Sequence, residues 1–202
     1  MLIDKNVLKN LKPCADRYKN FLEFHAEFSG TFSDFIDLSN VSYEDKIWVS
    51  TRVLNRNQLV SFAVLCADSV LHIFEAKFPE DKRVANLLIF MKSIKDFSNI
   101  TDAEKVELER LRTETRNAAN AAARSAYCTA AAYAAARSAY YTAAADTAYY
   151  TAAAADTAAA YAAYYTAADA DATDATATAA YAAARKQQQD LNLTFLKQVG
   201  NV

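Results

Sequence analysis

Apolar residues recur at helical spacing over most of the first half of the chain. The spacing predicts helices over Leu2–Phe28, with a break at Pro13, over Tyr43–Phe78 and over Val84–Phe97. Ser29–Asn40 is rich in Ser, Asp and Gly and is predicted as a loop. Glycine and proline occur only twice each, whereas sheet proteins need turn residues about every ten positions. The pattern therefore predicts an all-α fold.

The pattern changes after about residue 100. Thr101–Glu104 has the sequence of a capping box, and a charged helix is predicted over Glu104–Arg116. This helix leads into residues 118–184. That region holds 37 alanines and ten tyrosines but no Leu, Ile, Val, Phe, Met or Trp. Alanine favours helix and lets two backbones approach closely, while tyrosine rings supply the area that alanine lacks. The predicted divisions are an N-terminal globular helical domain at 1–100, an Ala/Tyr-rich helical region at 101–190 and a C-terminal tail at 191–202.

The alanine-rich region contains a 13-residue repeat, AAARSAYCTAAA at 121–132 and AAARSAYYTAAA at 134–145. Thirteen residues turn a straight helix about 220° beyond whole turns, so equivalent positions would lie on nearly opposite faces of one rod. Stacked short helices of about ten residues, each beginning at a small hydroxyl residue, explain the period better. The predicted caps are Ser125, Ser138 and Thr151. A long helix or helical hairpin is the alternative, and a disordered alanine tail is a third.

The composition bears on nucleic-acid binding, on the redox compartment and on membrane insertion. The formal net charge of −2 argues against a protein that coats nucleic acid. Three cysteines without CxxC spacing indicate a reducing cytoplasm and small buried residues. Asp residues interrupt the alanine run, so we expect a soluble chain with no membrane span and no signal peptide.

The sequence offers little catalytic chemistry. It has no Gly-rich phosphate loop, no HExxH, no paired Cys–His metal spacing and no GxSxG. Asp68, His72 and Glu75 share one helix face, where a carboxylate–histidine pair suits a general base or half of a metal site. A polar stripe satisfied by its neighbours is the simpler interpretation. We therefore predict no catalytic residue, no metal and no cofactor, with an enzyme built on His72 as a minor alternative.

Arginine and tyrosine in the repeat suit stacking on a nucleotide or phosphate, although the rings would equally fill gaps between alanine helices. The charged turn Pro79–Arg83 is a candidate partner contact or a solvated turn. Five acidic residues of the alanine region would form a negative surface or simply aid solubility: Asp146, Asp156, Asp169, Asp171 and Asp174. The candidate ligand- or partner-binding residues are Arg124, Arg137, Tyr127, Tyr140, Tyr141, Asp68, His72 and Arg83.

One segment resembles a known family. The run CADSVLHIFE at 66–75, followed by FPEDKR at 78–83 and a later Ala/Tyr/Asp/Arg region, is similar to the alanine-rich immunity proteins (Imm-5-like) over about residues 45–185. Val84 stands where that family usually has Pro. The resemblance implies a non-enzymatic inhibitor in a bacterial or phage setting.

The expected function is therefore a binding inhibitor, of the immunity or phage anti-defence type, that blocks a protein toxin or defence component in the cytoplasm of a bacterial host cell. A sponge that sequesters a nucleotide signal in a Tyr/Arg-lined pocket is the alternative, and a homo-oligomer stays open. Ice binding is disfavoured, because the threonines do not keep the recurrence of about 11 residues that would hold them on one helix face.

Overall fold

The structure is a computed structural model that describes residues 2–124, 130–142, 148–169 and 173–201. Those residues form ten helices and a sheet of two short strands, which confirms the predicted all-α fold. The elements are β1 (Leu2–Asp4), α1 (Lys5–Asn10), α2 (Ala15–His25), β2 (Ser29–Thr31), α3 (Phe32–Asp37), α4 (Tyr43–Val53), α5 (Arg56–Lys77), α6 (Arg83–Ser93), α7 (Asp102–Arg124), α8 (Ala130–Thr142), α9 (Ala148–Asp169) and α10 (Asp174–Gly200).

The first residues form a strand rather than the predicted start of a helix. β1 pairs antiparallel with β2, with the buried Ile3 opposite Gly30. The Asp4 side chain accepts hydrogen bonds from the backbone N–H groups of Asn6 and Val7, both at 2.8 Å, and so begins α1. The prediction of a helix from Leu2 was wrong because the Asp4 cap sets the start of the helix at Lys5, against the apolar spacing.

The segment predicted as a loop, Ser29–Asn40, contains β2 and α3. Thr31 and Asp34 form a capping box, in which the Asp34 N–H donates to the Thr31 hydroxyl at 3.2 Å and the Thr31 N–H donates to the Asp34 carboxylate at 2.7 Å. Phe35 and Ile36 are buried in the core. The loop prediction was wrong because these apolar residues follow a strong helix start.

The long helix predicted over Tyr43–Phe78 is two helices. Ser42 caps α4, because its hydroxyl accepts a hydrogen bond from the Asp45 N–H at 3.1 Å. A second capping box, between Asn55 and Gln58 at 3.0 Å in both directions, begins α5. The Asn55 side chain accepts from a backbone N–H at the start of α5 that an uninterrupted helix would have paired internally.

Later in the chain, two predictions are confirmed. The Thr101–Glu104 capping box forms, with hydrogen bonds of 2.8 and 3.2 Å. The helix predicted over Val84–Phe97 forms as α6, although it ends at Ser93. Of the five positions predicted to form its apolar stripe, Lys95 is exposed, and the other four are buried: Leu87, Leu88, Met91 and Ile94.

Helix α5 is the centre of the molecule. It packs against α6, α8, α9 and α10, and one hydrophobic cluster joins Phe62 and Phe74 of α5 to Ala135 and Ala139 of α8 and to Leu196 of α10. The alanine-rich helices therefore share a core with the first half of the chain.

Among the described helices, α5 is also the one whose length and hydropathy would allow it to cross a membrane. Buried residues such as Val70 and Phe74 place it inside the protein core, where a central helix has the same length and composition. The described alanine-rich helices do not meet the criteria for a span.

Helices α8, α9 and α10 pack side by side, α8 on α9 and α9 on α10. Ala136, Ala139, Ala155 and Ala158 are fully buried. Methyl side chains at these positions let the helix backbones come close together, which is the packing that the alanine content predicted.

The predicted hydroxyl caps are wrong where the structure describes them. Ser138 lies inside α8 and Thr151 inside α9, and the helices are 13 to 27 residues long. Instead, the Ser138 hydroxyl donates to the Thr151 carbonyl oxygen across the α8–α9 interface at 3.1 Å. Ser125 lies outside the described residues.

The cysteines divide between core and surface. Cys66 is buried, as predicted, whereas Cys14 is exposed at the turn before α2, so the prediction was wrong there. Cys128 lies outside the described residues.

Candidate functional site

The acidic and histidine residues predicted on one face of α5 lie at the protein surface. Asp68 pairs with Lys92 at 2.7 Å, Glu75 pairs with Lys82 at 3.7 Å, and His72 is exposed. Over the described residues, no group of three His, Cys, Asp or Glu side chains is placed to hold a metal ion. This face therefore carries surface ion pairs, each of which contributes little to stability.

The Arg83 side chain forms hydrogen bonds within its own turn. Its Nε and Nη2 atoms donate to the two carboxylate oxygens of Asp81 at 2.9 and 2.6 Å, and these hydrogen bonds hold the pKa of Asp81 below its ordinary value. The Arg83 carbonyl oxygen accepts a hydrogen bond from the Thr115 hydroxyl at 3.2 Å. Arg83 thus ties the start of α6 to α7.

The predicted Arg/Tyr set is described in part. Tyr127 and the side chain of Arg124 lie outside the described residues, whereas Arg137, Tyr140 and Tyr141 follow one another along α8.

The rings of two consecutive tyrosines, Tyr140 and Tyr141, each contact the guanidinium of an arginine. The Arg112 guanidinium lies 4.8 Å from the centre of the Tyr140 ring, and its Nη2 donates to the Tyr140 hydroxyl at 3.3 Å. The Arg137 guanidinium lies 5.0 Å from the centre of the Tyr141 ring and donates to the Tyr141 hydroxyl. Such contacts hold a flexible arginine in a defined place while keeping its charge.

Arg137 and Tyr141 line an open groove between α8 and α9 with a volume of about 400 Å³. We call it the tyrosine groove. Asp68, His72, Arg83 and Tyr140 are not among its lining residues. The lining residues are Ala134, Arg137, Tyr141, Tyr150, Ala153, Ala154, Thr157 and Tyr161.

Sequence reasoning missed Tyr150 and Tyr161, although a signal was present. Positions 150, 154, 157 and 161 follow the spacing of a single helix face. Tyr165 continues that face one turn later and packs against Tyr161, with ring centres 6.2 Å apart. Tyr150 is 56% exposed and Tyr165 is 38% exposed, so this side of α9 presents aromatic surface to solvent. We call Tyr150, Tyr161 and Tyr165 the tyrosine face.

The opposite side of α9 carries a buried acid. Asp156, predicted as a surface residue, is only 3% exposed, so that prediction was wrong. Its carboxylate accepts hydrogen bonds from Asn192 Nδ2 at 2.8 Å, from Gln189 Nε2 at 3.4 Å and from the Tyr43 hydroxyl at 3.5 Å. Burial raises the pKa of Asp156 to about 7, because a charge that loses contact with water is costly even when polar partners surround it.

The hydrogen bonds extend from Asp156 into the rest of the molecule. Asn192 also donates to the Tyr43 hydroxyl at 2.9 Å, and Gln188 donates to Asn192 at 3.0 Å and to the Ser69 hydroxyl at 2.9 Å. Burial, followed by the nearby Asp156 charge, raises the pKa of Tyr43. The network joins α4, α5, α9 and α10, and thereby fixes the position of the helix that carries the tyrosine face.

The chain matches no protein-family model, no curated protein and no solved structure. The resemblance to alanine-rich immunity proteins stays a prediction from the segment at 66–83.

Proposed function

We propose that the protein is a non-enzymatic inhibitor, of the immunity or phage anti-defence type, that binds and blocks a protein partner in the bacterial cytoplasm. The observation that carries this proposal is the tyrosine face, where Tyr150 and Tyr165 leave a large part of each ring in solvent. Tyrosine and arginine are enriched among the residues that dominate protein interfaces, since each combines a large apolar surface with polar atoms.

The support beneath these rings favours the same function. The inward side of α9 is packed by alanines, including Ala155 and Ala158, and by the hydrogen bonds of Asp156. A tyrosine has few rotatable bonds, and a rigid helix holds its backbone in place, so little conformational entropy is lost on binding.

The test is capture of a partner from bacterial lysate by the full-length protein, followed by titration of the partner's own activity. We expect the double variant Tyr150→Ala/Tyr165→Ala to lose capture and inhibition, with each truncation weakening binding by about tenfold or more. Phe24→Ala is the matched control, because Phe24 on α2 is an aromatic residue that is 51% exposed. Equal capture by the wild type, the control and the double variant would exclude the tyrosine face as the contact surface.

A further inference from the structure

The tyrosine groove is bounded by aromatic rings at both ends. The rings of Tyr141 and Tyr150 lie 5.7 Å apart and form one end. Tyr161 forms the other, and the ring of Tyr181 braces it edge-on at 5.5 Å. The eleven residue steps from Tyr150 to Tyr161 place their backbone positions about 16 Å apart along the helix. This spacing is greater than the length of one planar ring.

The floor of the groove is made of small side chains. Ala134 of α8 and Ala153 and Ala154 of α9 contribute only methyl groups, so the space between the tyrosines is not filled by the protein itself. A volume of about 400 Å³ lies within the range of about 300–1,000 Å³ that is typical of small-molecule sites.

The charge of the lining selects the type of ligand. Among the described residues that line the groove, Arg137 is the charged one; it is half-buried, and its guanidinium is held against the Tyr141 ring. A guanidinium pairs well with the oxygens of a phosphate, and a ring face suits stacking with a nucleobase.

We propose that the tyrosine groove is a binding site for a nucleoside monophosphate or a ligand of the same class, with the base against the tyrosine rings and the phosphate at Arg137. This function goes beyond the binding of a protein partner and does not depend on it. Because Tyr150 belongs both to the groove and to the tyrosine face, a bound nucleotide would cover part of the partner surface.

The test is isothermal titration calorimetry of the full-length protein with AMP, GMP, CMP and UMP. We expect at least one to bind with a Kd below about 1 mM and about tenfold more tightly than its own nucleoside or ribose 5-phosphate, because the ring and the phosphate both contribute. If none of the four binds, or if nucleoside and nucleotide bind equally, the proposal is overturned.

Three variants locate the site. Arg137→Gln should weaken binding by about tenfold to 100-fold, whereas Arg112→Gln, which removes the other tyrosine-stacked arginine from outside the groove lining, should leave it unchanged. Ala154→Leu should abolish binding by filling the floor while Arg137 stays in place. If Arg137→Gln does not fold by circular dichroism, Ala154→Leu alone decides, and unchanged affinity in a folded variant refutes the site. None of these three substitutions changes the tyrosines used to test partner binding, so the two proposals fail separately.

Discussion

Replacing the buried acid Asp156 by asparagine should stabilise the protein at alkaline pH. The pKa of Asp156 is raised from its ordinary value of 3.8 to about 7 by burial. Between these two values the folded protein keeps the proton that the unfolded chain releases, so stability falls as the pH rises through this window. Above pH 7 the carboxylate is ionised in both states, and the cost of burying its charge is fully present.

The size of the effect follows from the same two values. Moving a carboxyl pKa from 3.8 to about 7 corresponds to about 4 kcal/mol at pH 8 and about 2 kcal/mol at pH 5. Asparagine matches the shape of aspartate, stays neutral at every pH, and its side-chain oxygen still accepts the hydrogen bond from Asn192. The free energy of unfolding of Asp156→Asn relative to wild type should therefore increase by about 2–3 kcal/mol between pH 5 and pH 8.

Urea unfolding followed by circular dichroism at pH 5, 6, 7 and 8 measures this difference. Asp68→Asn is the control, because it removes an exposed carboxylate that pairs with Lys92 at the surface, and its effect should stay below about 1 kcal/mol at each pH. A difference between Asp156→Asn and wild type that does not change with pH would refute the reasoning.

Two further changes test the helix packing and the helix starts. Ala155→Leu places a larger side chain in the fully buried face of α9 and should destabilise the fold by about 1–3 kcal/mol. Ala183→Leu, at an exposed position of α10, should change stability by less than about 0.5 kcal/mol. Thermal melting that ranks the two variants the other way would contradict close alanine packing. Asn55→Ala removes the side-chain acceptor that begins α5. It should lower the free energy of unfolding, measured in urea, by about 1 kcal/mol. An unchanged unfolding midpoint would show that this cap does not contribute to stability.

Capping preference and apolar spacing predicted the helices well where the two signals did not conflict. Ser42 and Thr101 each stand before acidic residues at the start of an apolar or charged helix, and both act as caps. Asn55 and Gln58 carried the same type of signal, but the apolar residues on both sides of Leu54 favoured one continuous helix. Capping preference and apolar spacing compete at such a position, and only the tertiary packing decides between them.

The buried acid could not be predicted from local sequence. Asp156 and Asp174 both stand among alanines and threonines, yet Asp156 is buried and Asp174 is exposed at the start of α10, where it accepts a hydrogen bond from Tyr164 at 3.1 Å. The difference arises because Asn192 and Tyr43, which are distant in the sequence, supply hydrogen-bond donors where α9 meets α4 and α10. An alanine helix has weak apolar contrast between its faces, so its pattern does not identify the buried side.

Two residues that the 13-residue repeat predicted as helix caps lie at a helix–helix contact instead. Ser138 lies four residues before the end of α8, and Thr151 lies three residues after the start of α9. When two consecutive helices with a short connection pack as antiparallel neighbours, positions equally distant from the connection meet. The hydrogen bond between Ser138 and Thr151 joins such a pair, and both residues are small enough for the helices to approach closely. Ser138 and Thr151 were predicted as caps from their spacing, whereas the structure places them at a contact between α8 and α9.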